Sequence, residues 1–246
     1  MRPQPDLQRG ADTTIRTIAV AALIVAIGVG MTSNLLFLAA FQFRIDWFLE
    51  PTRVLVAGEG SAALLRWASV LDLIGYYLAS AVLAYALWRI LRPRNPMLAD
   101  LSTMAAICYS LAGGAGAAVL ALVGPMLLND YAAAASSTDR AMIATQFGLL
   151  FEVVWRAIWQ FLDGILVAAW WLGTGLLVRP EQPGLSRLSL VLAAAAAIGV
   201  VFNVLGLGIA RDVSLGVVFS LWTAWWVWLL LLFLRRHEPF AGEVEA

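Results

Sequence analysis

The chain reads as an all-α bundle of six membrane-spanning helices, and three observations carry that reading. Of its 246 residues 62% are hydrophobic and only 13% charged, with a mean hydropathy of +0.84. A soluble domain of this length is far more polar. The apolar runs reach about 20 residues, enough to cross a hydrocarbon core of roughly 30 Å. The breaks between them are short and carry turn chemistry.

Span one, 17–41, has an apolar run of about 24 residues, well beyond the core of a cleaved signal, and is read as a retained helix. The connection 42–66 mixes Trp47, Phe48 and Leu49 with Arg44, Asp46, Glu50 and Arg53, and Pro51, Gly58 and Gly60 interrupt it. Such a mixture predicts an interfacial segment resting on the membrane. Span two, 67–91, ends at Arg92-Pro93-Arg94-Asn95-Pro96. Span three, 102–127, bears a small face of Ser110, Gly113, Gly114, Gly116 and Ala118, which lets helices approach closely. A break at 129–137 precedes span four, 149–178. Arg179 through Gly184 separate it from span five, 187–208, and Arg211-Asp212 introduce span six, 214–234. Gly206-Leu207-Gly208 resembles the start of a dinucleotide fingerprint, but no strand precedes it and the third glycine is missing, so it reads as a helix end. No soluble domain and no internal repeat is expected, and the chain forms a single transmembrane domain.

Arginine sets the orientation. The N-terminal tail (Arg2, Arg9, Arg16), the 2–3 connection (Arg89, Arg92, Arg94), the 4–5 connection (Arg179, Arg187) and the C-terminal tail (Arg235, Arg236) hold ten arginines. Arg44, Arg53, Arg66, Arg140 and Arg211 fall on the opposite side. By the positive-inside rule both termini are cytoplasmic, in keeping with an even number of spans.

Several absences exclude chemistry. The formal net charge is zero and the arginines are scattered, so no nucleic-acid partner is expected. Without lysine there is no amine for a Schiff base to retinal or pyridoxal phosphate. The one histidine, His237, follows the last apolar run, which rules out histidine-ligated haem or metal within the membrane. Cys108 is alone, so no internal disulfide forms. No cofactor and no metal are expected. Glu152 and Arg156 superficially resemble the glutamate–arginine motif of intramembrane CAAX-type proteases, yet the paired glutamates and membrane histidines of those enzymes are missing. Serines such as Ser110 have no histidine or lysine base. An enzyme is not expected.

The polar residues inside the spans are the functional candidates. Glu152, Arg156, Gln160 and Asp163 of span four fall within an arc of about 80° at the helical advance of roughly 100° per residue. Polar side chains facing lipid are costly, so this stripe is expected to face protein or a wet cavity. If Trp170 and Trp171 mark the cytoplasmic aromatic belt, Asp163 lies near the midplane. If the membrane reaches Val178, all four shift outward, a placement that Trp155 and Trp159 favour. Span two presents Ser69, Asp72, Tyr76 and Ser80 on one face, and Asn34 of span one and Asn203 of span five lie in the same outer half. Together Asn34, Asp72, Tyr76, Glu152, Arg156, Gln160, Asp163 and Asn203 form an expected outward-facing cluster.

Two uses of that cluster compete. In one, Asp72, Glu152 or Asp163 exchanges protons while Arg156 holds an anion or balances a carboxylate, which suits binding or transport of a small solute, ion or lipid-like molecule. In the other, Arg156 pairs with Glu152 and Asp72 only to fix helix register, as in a structural or regulatory subunit with a membrane partner or a second copy of itself. Eleven tryptophans, among them Trp222, Trp225, Trp226 and Trp228, read as lipid-interface anchors and packing groups. The competing use is an aromatic wall for a lipid, quinone or carotenoid.

The segment FRIDWFLEPTRVL (43–55) and the polar span LLFEVVWRAIWQFLDG (149–164) give the chain a resemblance to bacterial, especially actinobacterial, six-helix membrane proteins grouped as domains of unknown function. That resemblance implies a plasma-membrane location and assigns no residue a role.

Overall fold

The computed structural model describes residues 5–48, 50–235 and 240. Arg2, Leu49, Arg236 and His237 lie outside the described residues, as does the side chain of Arg9. Among the described residues the backbone is helical nearly throughout, without a strand.

Helix α1 spans Pro5–Ala40. Two short 3₁₀ segments, Ile45–Phe48 and Pro51–Ala57, lead to α2, Glu59–Asp72. A π-helical stretch, Leu73–Leu78, joins α2 to α3, Ala79–Leu91. Helix α4 is Pro96–Ala133, opened by Pro96 and by the Asn95 side chain accepting from the Leu98 amide. Helix α5, Ser137–Phe151, is capped by Ser136, whose hydroxyl accepts from the Asp139 amide. It passes through a longer π segment, Glu152–Leu162, into α6, Asp163–Val178. Helices α7, Pro183–Val204, and α8, Gly208–Leu234, follow. Gly206 turns between them with a φ of 70°, so the Gly-Leu-Gly triplet is a helix end as expected.

Among the described residues six helical rods are long and apolar enough to cross a membrane: Thr13–Ala40, Gly60–Leu91, Pro96–Ala133, Ser137–Val178, Pro183–Val204 and Gly208–Leu234. Their outer surface shows Ile24, Leu35, Leu111, Leu122 and Val201 to the surroundings, as lipid contact requires. The chain is a multi-pass, all-α membrane protein. Each rod packs on its neighbour in the sequence, and α8 returns against α1, so the six close into a ring in chain order.

Several boundaries differ from the sequence reading, and two of the shifts have a clear local cause. Gly58, with a φ of 81°, lets the chain turn early, so the second rod begins at Glu59 and takes in residues assigned to the 42–66 connection. The Ser136 cap starts the fourth rod at Ser137, well before 149. At 1.5 Å per residue α4 is roughly 57 Å long, about twice the hydrocarbon thickness. The ends of α1, α2, α4 and α5 carry a second apolar core of Phe41, Leu65, Leu128, Phe147 and Phe151. Trp47, Val54 and Leu55 of the 3₁₀ segments are buried in that core, so this connection clasps the helix ends. Its exposed rim holds Arg44, which donates twice to Asp46, and Arg53, which donates to Glu50.

The main core is aromatic. Trp171 and Trp222 meet edge to face at 4.8 Å, Trp170 and Trp225 at 5.6 Å, and Tyr76 lies 5.0 Å from Trp226. Trp170, Trp171, Trp222, Trp225 and Trp226 are all buried, which corrects their reading as interface anchors or belt markers. Edge-to-face and tilted packing against one another keeps these rings inside; of the four on α8, only Trp228 is exposed.

Candidate functional site

A cavity of about 300 Å³ lies inside the ring, toward the end formed by the 1–2, 3–4 and 5–6 connections, and every rod lends it at least one side chain. Span one gives Asn34 and Phe37; span two gives Asp72, Tyr76 and Tyr77; α4 gives Tyr109. Span four gives Trp159, Gln160 and Asp163, α7 gives Ala195, Ala196 and Gly199, and α8 runs from Arg211 through Ser214 and Val218 to Trp222. The volume is at the small end for ligand pockets, and the lining is mostly apolar with a few convergent polar groups.

Backbone irregularity places the two acids. Asp72 directly precedes the first π segment and Asp163 directly follows the second. Widened turns of this kind recur at functional sites because they redirect side chains that a regular helix would hold elsewhere. Both carboxyls are nearly sealed from the surface, at 8% and 3% exposure. Tyr77 donates its hydroxyl to Asp163 Oδ2 at 3.1 Å. The glycine face of α4 makes room for that pair: a Cβ on Gly113 would strike both the Tyr77 ring and the Asp163 carboxyl. Trp159 Nε1 donates to the Gly113 carbonyl at 3.1 Å, fixing a second cavity wall to the same residue. On the opposite side Asn34 Nδ2 donates to the Tyr76 hydroxyl at 2.7 Å. Gly75 rests on the Gly30 backbone, which brings α1 and span two into close contact there.

Five of the eight buried polar atoms without a hydrogen-bond partner among the described residues belong to this lining: Asp72 Oδ2, Asp163 Oδ1, both amide atoms of Gln160, and Trp222 Nε1. Native structures leave few such groups, and most of those here gather in one cavity.

The structure therefore gathers Asn34, Asp72, Tyr76, Gln160 and Asp163, and leaves out Glu152, Arg156 and Asn203. Glu152 and Arg156 pair at 3.1 Å within one helix, both side chains 48% exposed. Asn203, partly exposed, donates to the Arg156 carbonyl at 3.1 Å and ties α7 to the π segment. The expected single stripe fails because Glu152–Leu162 is π-helical. Each i→i+5 residue advances by less than 100°, and over this stretch the shortfall reaches roughly half a turn. Asp163 thus faces inward while Glu152 faces out.

Sequence reading missed Tyr77, Tyr109, Trp159, Trp222 and Arg211. Tyr76 and Tyr77, adjacent in the π segment at 73–78, both line the cavity. Arg211 was assigned to a connection, but it lies in the first turn of α8 and is only 7% exposed. Its signal was present: Arg211, Ser214, Val218 and Trp222 recur on one helical face.

No protein-family model, curated protein or solved structure matches this chain.

Proposed function

We propose that this protein binds a small amphiphilic solute in the central cavity, as a carrier or receptor in a bacterial plasma membrane, with both termini cytoplasmic and the cavity toward the outer face. The observation that supports this most is the set of orphaned polar atoms on Asp72, Gln160, Asp163 and Trp222 around one apolar space. A buried carboxyl oxygen without a donor needs a proton, a water or a guest. Phe219 lines the cavity yet is 42% exposed, so the wall near α8 offers a lateral way in from the bilayer. The arginine bias supports the orientation.

The structural-subunit reading has less support. It depended on Arg156 pairing with both Glu152 and Asp72, but Arg156 pairs with Glu152 on its own helix and Asp72 lines the cavity.

Two experiments test the proposal. Ala196→Phe places a ring in the cavity, and it is expected to abolish solute-induced quenching of tryptophan fluorescence while the protein elutes as a folded species. Quenching that persists at full amplitude in this variant rejects the cavity as the binding site. For orientation, single cysteines at Ser137 and at Glu181 in a Cys108→Ser background are treated with an impermeant maleimide on whole cells. Labelling at 137 and not at 181 is expected; the reverse inverts the topology.

A further inference from the structure

We propose that the occupant of the cavity is a small organic cation, an amine or quaternary ammonium on an apolar body, seated between Asp72 and Asp163. This rests on the cavity reading above and adds the sign of the guest's charge.

The two acids share one depth. Tyr77 and Asp163 both bear on Gly113, and Leu73, next to Asp72, bears on Gly114. Each acid keeps a carboxyl oxygen without a hydrogen-bond donor. The rings beside them form a continuous aromatic floor, with Tyr76 5.4 Å and Tyr109 5.9 Å from Trp222, and Tyr77 5.1 Å from Tyr109. A cation gains twice there, from the carboxylates and from the electron-rich ring faces. An anion would meet two acids and those same faces.

Arg211 does not cancel this. It is the one basic group of the lining and can offset at most one of the two acids, each of which keeps an oxygen without a donor. The full set of charged and titratable lining groups is Asp72, Tyr76 and Tyr77 from span two, Tyr109 from α4, Asp163 from span four and Arg211 from α8. Neither α1 nor α7 contributes one. Cation and proton therefore compete for the same oxygens. When the cation settles beside a protonated carboxyl, the O–H bond breaks and its proton passes to water. Binding weakens as pH falls.

The test titrates the full chain in lipid nanodiscs with benzyltrimethylammonium, its uncharged carbon analogue neopentylbenzene, and phenylmethanesulfonate, by tryptophan quenching and calorimetry. The quaternary ammonium does not titrate, so any pH effect belongs to the protein. We expect the cation to bind roughly tenfold or more tighter than the neutral analogue at about pH 8, a preference that shrinks on acidification. In Asp163→Asn the preference is lost while neopentylbenzene binds as before; Asp72→Asn serves as the second variant should the first not fold. Equal affinity for cation and neutral analogue overturns the charge assignment and leaves the cavity reading standing, and so does a preference for the sulfonate. Failure of all three probes to bind the wild-type protein overturns both.

Discussion

The Tyr77 hydroxyl donates to Asp163 Oδ2 at 3.1 Å across 86 positions of sequence, joining the first π segment to the end of the second. Tyr77→Phe removes that donor and leaves both oxygens of a buried carboxyl without a protein hydrogen bond. The cost expected is about 1–3 kcal/mol, read as a lower melting temperature in detergent. Pairing it with Asp163→Leu removes the stranded acceptor too. The double variant is expected to regain stability relative to Tyr77→Phe alone, and a simple sum of two losses would show that the contact is not coupled.

Gly113 is the position where added volume matters most. Gly113→Ala drives a methyl group into Tyr77 and Asp163, at an expected cost of about 1–3 kcal/mol together with weaker solute binding. Gly216→Ala, on α8 with open space around its Cα, should be neutral or slightly stabilising because alanine favours the helix. Equal melting temperatures for the two variants would contradict the packing described for α4.

The Glu152–Arg156 pair is half exposed, and screening leaves such a pair worth less than about 1 kcal/mol. Glu152→Gln and Arg156→Gln should each melt within a few degrees of the parent and bind solute unchanged. A large loss of binding in either variant would return these residues to the site.

At the exposed rim, hydrogen bonding from Arg44 holds the Asp46 carboxyl below the usual carboxylate range. A depressed folded-state value means that whatever this pair contributes is present above the ordinary aspartate range and is lost as pH falls through the lowered value. A carbon-NMR titration of Asp46 should find that low midpoint, and Arg44→Gln should move it upward. An unchanged midpoint in Arg44→Gln would remove Arg44 as the cause.

Much of the architecture was legible in the sequence because membrane helices announce themselves by length. All six spans were found; ordinary helical spacing put Asp72 and Tyr76 on one face, and Asn34 joined them by its depth alone. What spacing could not carry was the change of pitch. The residues from Glu152 to Leu162 have nothing in their pattern that separates an i→i+5 turn from an i→i+4 turn, so Asp163 and Glu152 were assigned to one stripe when they face nearly opposite ways. The tryptophans of α8 failed differently. A ring that spreads over several faces of a helix suits lipid anchoring and an aromatic core equally well. Only the arrival of Tyr76, Trp170 and Trp171 from other spans decides between them.

Because each span lies beside its predecessor and α8 seals the circle against α1, the chamber does not exist without α8. Take that helix away and Asp72 and Asp163 stand on the inner side of an open crescent, two acids turned toward hydrocarbon.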